Sequence, residues 1–122
     1  MAKGGGSEQY TLSLLRIVAG FTFSLHGFQK ALGFFGGHKM PLFSLLGVAG
    51  VIELCGGLLI LSGLFTRPVA FLLCGEMAVA YFKQHATKGF WPIVNGGELA
   101  VLYCFILLYL VTAGPGPWSR SP

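Results

Sequence analysis

Residues 42–65 read LFSLLGVAGVIELCGGLLILSGLF, and this stretch decides the fold class of the chain. Its only charged residue is Glu53, which lies near the middle. A bilayer core about 30 Å thick is crossed by about 20 residues of α-helix, and apolar runs of about that length with few charges are typical of membrane spans. The stretch therefore predicts a helix that crosses a membrane.

The whole chain has the composition of a membrane protein. Of its 122 residues, 54% are hydrophobic and 10% are charged, whereas about a quarter of the residues in a soluble domain are charged. At about 20 residues for each crossing, a chain of this length holds four or five spans at most. We therefore expect a single domain, integral to a membrane, with the lipid bilayer as a partner.

Glycines and prolines divide the chain into four apolar segments. Pro41 and Pro68 suit the first turn of a helix, and Gly114 with the prolines after it ends the last segment. The predicted spans are residues 10–32, 42–65, 69–85 and 98–113, with a flexible tail at residues 1–9 and a C-terminal tail at residues 114–122. The predicted fold is an all-α, integral membrane four-helix bundle with both termini on the same side.

The net charge of +4 does not indicate a nucleic-acid partner. The eight Lys and Arg residues are scattered singly and form no basic stripe of the kind that binds nucleic acid. Most of them lie where a predicted span ends, where such side chains extend toward lipid phosphates. They are divided almost evenly between the two sides of the bundle, so the positive-inside rule does not determine the sidedness.

Six ionisable residues within the predicted spans are the candidate functional residues. Each costs about 2.5 to 3.5 kcal/mol at the centre of a bilayer and therefore needs a partner or a function. They are Arg16, His26 and Lys30 in span 1, Glu53 in span 2, Glu76 in span 3 and Glu98 at the start of span 4. At about 100° per residue, those of span 1 project within about 80° of one another and form one polar stripe.

Spacing and depth predict how these residues are arranged. Glu53 shares a helix face with Gly50 and Gly57, where another helix can approach closely, so its side chain is predicted to point into the bundle. The predicted partners are Glu98 with Lys30 or His26, and Arg16 with Glu53 or Glu76.

Two interpretations of the charges remain open at this point. Paired charges can hold four helices in register without doing chemistry, or intramembrane Glu and His residues can form a proton relay or a polar head-group site. In the second interpretation, His26 and Glu53 are the candidate proton relay. The surrounding charge network is then Arg16, Lys30, Glu76 and Glu98.

Other chemistries are not supported by the pattern. None of the acids inside the spans has a histidine three residues on, as a di-iron bundle requires, and nucleotide-binding glycine motifs are absent. We therefore predict no metal site. Cys55, Cys74 and Cys104 lie in different apolar segments without a C-x-x-C spacing. This favours small buried apolar residues, with thiol redox chemistry as the alternative.

A series of short motifs runs along residues 11–119. They are Leu15-Arg16, His26-Gly27-Phe28-Gln29-Lys30, Glu53 with Gly56-Gly57, Gly63-Leu64-Phe65-Thr66-Arg67, Gly89-Phe90-Trp91-Pro92 before Asn95-Gly96-Gly97-Glu98, and Gly114-Pro115-Gly116 with Ser119. Each motif is weak alone, but in this order and spacing the set resembles the DoxX family of small four-helix bacterial membrane proteins.

The resemblance implies a multi-pass protein of the bacterial inner membrane with cytoplasmic termini. Members of the family resemble, or are associated with, the membrane subunit of a thiosulfate:quinone oxidoreductase and complexes that handle thiols and oxidative stress. Quinone is thus the implied cofactor, and other membrane subunits are the implied partners. Two alternatives are a non-catalytic accessory or assembly subunit of a larger membrane complex, and a small proton-coupled exporter. The positive groups in span 1 count against the exporter.

Overall fold

A computed structural model describes residues 6–32, 45–82 and 97–120. Almost all of this part of the chain is helical, in the four helices α1 (Gly6–Leu32), α2 (Leu45–Ser62), α3 (Thr66–Ala80) and α4 (Glu98–Ala113). No strand occurs within these described ranges. The all-α prediction is confirmed for them.

The helix boundaries depart from the predicted spans at three places. α2 ends at Ser62, three residues before the predicted end of span 2. α1 begins at Gly6, inside the predicted flexible tail, and Glu8 lies in its first turn, where the helix dipole favours a negative charge. α3 begins at Thr66, three residues before predicted span 3, and Pro68 lies within its first turn, as predicted. The segments that connect α1 to α2 and α3 to α4, with the start of span 2 and the end of span 3, lie outside the described residues.

The turn between α2 and α3 is tight. Gly63 and Phe65 have φ angles of 79° and 54°, a left-handed conformation that glycine adopts freely and that costs a bulky residue about 1–2 kcal/mol. The Gly63 N–H donates to the Leu59 carbonyl oxygen at 2.9 Å and ends α2. α2 and α3 are therefore antiparallel neighbours.

One of the described helices is long and apolar enough to cross a membrane. By length and composition, the stretch Gly6–Gln29 of α1 meets this condition, and 44% of an apolar 18-residue part of it is buried inside the bundle. Shorter apolar helices occur at Gly47–Ser62 and Glu98–Ala113. The helical part of the predicted fold is thus confirmed, and the four-span membrane bundle stays a prediction.

Glycines allow the backbones of α1 and α2 to touch. A Cβ atom on Gly57 would lie 2.7 Å from the Ser24 nitrogen, and one on Gly27 would lie 2.5 Å from the Leu54 Cα. Real Cβ atoms do not come this close to backbone atoms, so only glycine permits this approach. Residue 27 packs on residue 54, and residue 24 packs on residue 57. Residue numbers thus rise along α2 as they fall along α1, so the two helices are antiparallel. Such small-residue contacts are typical of helix pairs in membranes.

α3 packs mainly on α4, as α1 packs on α2. The core where the helices meet is apolar, and its most buried side chains include Phe23, Ile60, Leu73, Leu107 and Leu110. The two ends of the described chain lie at one end of this bundle, which we call the terminal end. There the rings of Tyr10 and Trp118 lie 5.1 Å apart between centroids.

Candidate functional site

Arg16 lies at the terminal end and is 1% exposed. Its guanidinium donates through Nη1 to the Pro115 carbonyl oxygen and through Nη2 to the carbonyl oxygens of Leu61 and Trp118. One side chain of α1 therefore joins the end of α2 to the segment after α4. It also provides a positive charge at the C-terminal end of α2, where the helix dipole is negative.

The predicted partners of Arg16 are wrong. Glu53 is next to Leu54, which packs against Gly27, so Glu53 lies about 11 residues further along α1 than Arg16. At about 1.5 Å per residue, this is about 16 Å along the helix axis, which is beyond the reach of the two side chains. Arg16 forms its hydrogen bonds with carbonyl oxygens at the terminal end, and neither Glu53 nor Glu76 is among its acceptors.

Glu53 is buried in the bundle and is 2% exposed. The flanking glycines predicted from spacing, Gly50 and Gly57, are buried with it. Because residues 54 and 57 pack against residues 27 and 24 of the antiparallel α1, Glu53 lies at the level of Phe28, about 3 Å along the helix axis from His26. The structure thus brings the two candidate relay residues to one depth of the bundle, while Arg16 lies at another.

Tyr103 on α4 completes this level of the bundle and was not predicted from the sequence. Its hydroxyl donates to the Thr22 Oγ1 atom at 2.7 Å. Its ring makes edge-on contacts with the rings of Phe23 and His26, at centroid distances of 4.9 and 5.9 Å. The buried Tyr103 ring therefore connects α4 to the polar stripe of α1. We call Thr22, His26, Glu53 and Tyr103 the polar layer.

A groove of about 200 Å³ runs between α1 and α4 beside the polar layer. Thr22 and Tyr103 contribute to its wall, and the remaining lining is apolar: Leu15, Val18, Ala19, Leu99, Leu102 and Ile106. The groove exists because α1 and α4 make few direct contacts. It is open at the side of the bundle.

The other three candidate residues lie in different settings. Glu76 is half-buried on α3, and Glu98 is exposed in the first turn of α4, where the helix dipole favours its charge. The backbone of Lys30 belongs to α1, but its side chain lies outside the described part of the structure. The pairing of Glu98 with Lys30 or His26 stays a prediction. Within the described ranges, no three His, Cys, Asp or Glu residues are grouped as metal ligands.

The Tyr103→Phe variant should lose about 1 kcal/mol of unfolding free energy. It removes the hydrogen bond to Thr22 but leaves the ring in contact with Phe23 and His26. Thr22 keeps its own hydrogen bonds to the Val18 and Ala19 carbonyl oxygens, so no second hydrogen bond should be lost. Unfolding in detergent, followed by circular dichroism, measures it. A loss as large as that of Tyr103→Leu would show that the hydroxyl, rather than the ring, holds α4 on α1.

Comparisons with known proteins identify relatives over most of the chain. The family model described as DoxX matches residues 11–86. An uncharacterized protein of Haemophilus influenzae is 51% identical over 114 residues, which cover 88% of this chain and 85% of that protein. No solved structure gives a significant match.

Two further relatives have more informative descriptions. A Bacillus subtilis protein described as a candidate oxidoreductase, CatD, is 42% identical over 109 residues, covering 83% of this chain and 77% of that protein. An uncharacterized membrane protein of Mycobacterium tuberculosis is 28% identical over 123 residues, covering 86% of this chain and 76% of that protein.

Proposed function

The chain belongs to the DoxX family, and on that premise we propose that it is a membrane subunit of a quinone-linked redox system. In this proposal the protein crosses the bacterial inner membrane four times, with both termini in the cytoplasm. The polar layer binds a quinone head group between the helices. His26 and Glu53 relay the protons that the quinone takes up on reduction.

The surface of the described helices supports the membrane location. Many large apolar side chains point away from the core, among them Phe21, Phe71, Leu72, Phe82, Leu102 and Phe105, each more than half exposed. Soluble monomers rarely expose apolar patches of more than a few hundred Å², whereas lipid tails cover such a surface without cost. A relative that is described as a membrane protein supports the same location.

The observation that carries the proposal is a buried carboxyl group, Glu53, which lies within about 3 Å of the level of His26 along the helix axis. A carboxyl and an imidazole are the side chains most often used to transfer protons, and ionisable residues inside membranes commonly mark proton paths. Reduction of a quinone to a quinol consumes two protons at its two oxygen atoms. The polar layer offers proton-transfer groups at one depth.

The groove beside the polar layer supports a quinone over a small soluble substrate. Its almost entirely apolar wall suits a ring and an isoprenoid chain. The Tyr103 hydroxyl, which is bonded to Thr22, is the neutral donor nearest to this wall, and a quinone carbonyl would have to compete for that hydrogen bond. Lys30, Glu76 and Glu98 remain proposed members of the surrounding charge network, whereas Arg16 is assigned to the terminal end.

A non-catalytic accessory or assembly subunit is the second candidate function. It is favoured by Arg16, whose buried charge serves the architecture through three carbonyl oxygens. It is also favoured by the glycine contacts of α1 with α2, which hold the bundle without chemistry. In both proposals we expect other membrane subunits as partners.

The Glu53→Gln and His26→Ala variants separate the two functions. If the polar layer transfers protons, each variant should reduce quinone-dependent activity about 100-fold or more in the complex isolated gently from its own membranes. Reduction of decylubiquinone, followed by absorbance, measures this. Glu8→Gln, which changes an exposed carboxyl group of α1, is the matched control. Variants that fold normally and retain full activity would leave only the accessory role.

A further inference from the structure

Cys74 on α3 and Cys104 on α4 form a thiol pair between helices. Their Sγ atoms lie 3.7 Å apart, and both residues are half-buried. The two residues are 30 positions apart in the chain, so the fold alone brings them together. The third cysteine, Cys55, is an exposed free thiol on α2.

The packing of α3 on α4 holds the two thiols at matching depth. α3 begins and α4 ends at the terminal end, where Arg67 Nη1 donates to the Thr112 carbonyl oxygen at 2.7 Å. Cys74 lies eight residues after Thr66, and Cys104 lies nine residues before Ala113. At about 1.5 Å per residue, both thiols are about 12 to 14 Å from that end of the bundle.

We propose that Cys74 and Cys104 are a reversible dithiol–disulfide couple that donates electrons to a membrane quinone. A disulfide has an S–S length of about 2.05 Å, so the Sγ atoms must approach by about 1.6 Å from their present separation. Side-chain rotation and a small movement of α3 against α4 can provide this. Only one part of this proposal, that the electron acceptor is a quinone, rests on the proposed function.

The reaction balances without a further reactant. Two S–H bonds break and one S–S bond forms, so the two thiols are oxidised by two electrons. The quinone accepts these two electrons, and the two thiol protons end on its two oxygen atoms to give one quinol. A small uncharged dithiol, which can enter the bilayer, reverses the reaction by thiol–disulfide exchange and restores both S–H bonds.

The half-buried position of the pair fits a lipid-soluble oxidant. Cys74 and Cys104 lie at the edge of the apolar core, packed against its buried residues. A quinone dissolved in the bilayer reaches this part of α3 and α4 directly, whereas charged soluble thiols do not enter hydrocarbon. The pair and the polar layer are therefore two separate places of contact with one quinone pool.

The test counts free thiols in the intact protein after exposure to duroquinone in proteoliposomes. Duroquinone is fully methylated on its ring, so it oxidises thiols without adding to them. The protein is denatured in the presence of a maleimide, and mass spectrometry counts the labelled cysteines. Three cysteines should be labelled before oxidation and one afterwards. Dithiothreitol should restore all three, and one quinol should form for each protein oxidised.

Variants identify the thiols that react. Cys55→Ser should still lose two labels, whereas Cys74→Ser and Cys104→Ser should lose none and form no quinol. Full labelling of the wild-type protein after duroquinone treatment would overturn the proposal, as would equal oxidation of Cys74→Ser. The thiol count does not depend on the polar layer. A loss of quinone-dependent activity in Glu53→Gln would therefore stand even if the thiol pair failed this test.

Discussion

Replacing Arg16 with Met should lower the free energy of unfolding by about 3 kcal/mol or more. The Arg16 side chain is almost completely buried and donates to the carbonyl oxygens of Leu61, Pro115 and Trp118. Met is apolar and has no donor, so the carbonyl oxygens of Leu61 and Trp118 lose this donor and that of Pro115 keeps only the Ser13 hydroxyl at 3.5 Å. Each unsatisfied buried acceptor costs about 1–3 kcal/mol. The Met variant no longer buries a positive charge, and this gain offsets part of the cost.

Arg67→Met is the matched control for this change. Arg67 also donates to carbonyl oxygens at a helix end, those of Val111 and Thr112, but its side chain is exposed. Solvent or lipid head groups can replace it there, so we expect a loss of about 1 kcal/mol or less. Titration with a denaturing detergent, followed by Trp118 fluorescence, measures both variants. Equal losses would contradict the role assigned to Arg16.

The Gly27→Ala variant should lose about 3 kcal/mol of unfolding free energy by forcing α1 away from α2. The added methyl group would lie 2.5 Å from the Leu54 Cα and 2.7 Å from its Cβ. These are atoms at and beside the backbone, so no flexible side chain can move away. Separation of the two helices would also move Glu53 away from His26, and quinone-dependent activity should fall with stability.

Gly75→Ala in α3 is the control for the glycine prediction. A Cβ atom at Gly75 meets nothing within 4 Å. Alanine is the better helix former, so this change should raise the unfolding free energy by about 0.5–1 kcal/mol. The opposite signs of the two changes, measured in the same detergent titration, test the close contact itself. Destabilisation by both would indicate a general intolerance of alanine rather than backbone contact.

Helix identity and burial could be predicted from sequence where the signal is local. α4 has the predicted range of residues 98–113, because its apolar run is bounded by Glu98 and by the glycine and prolines that follow. The burial of Glu53 followed from its spacing to Gly50 and Gly57. Each of these features depends on the sequence of a single segment, so the spacing of residue types within that segment is enough to predict it.

The partners of Arg16 could not be predicted because they depend on how far one helix is shifted along another. For α1 and α2, that shift is set by the contact of Gly27 with Leu54 and by the contact of Gly57 with Ser24. Neither contact is encoded in the spacing of residues within α1. In addition, the acceptors of Arg16 are backbone carbonyl groups, which every residue carries, so no sequence pattern marks them.

Tyr103 and the thiol pair were missed for a related reason. Tyr103 is one of two tyrosines in the apolar helix α4 and has the sequence signature of an ordinary core residue, so only its packing against His26 reveals its position. Cys74 and Cys104 face each other because α3 and α4 are rotated toward one another by their packing. The rotation of a nearly uniformly apolar helix leaves a weak trace in sequence periodicity.

The most direct test of the polar layer as a quinone site is native mass spectrometry of the protein released gently from its own membranes. The account predicts a quinone-mass adduct on the wild-type protein and on Glu8→Gln, and its loss from Glu53→Gln. An adduct that survives in Glu53→Gln would contradict the proposed site. A wild-type protein recovered in fixed stoichiometry with a larger complex, and without a quinone, would contradict the quinone-linked function and support the accessory role.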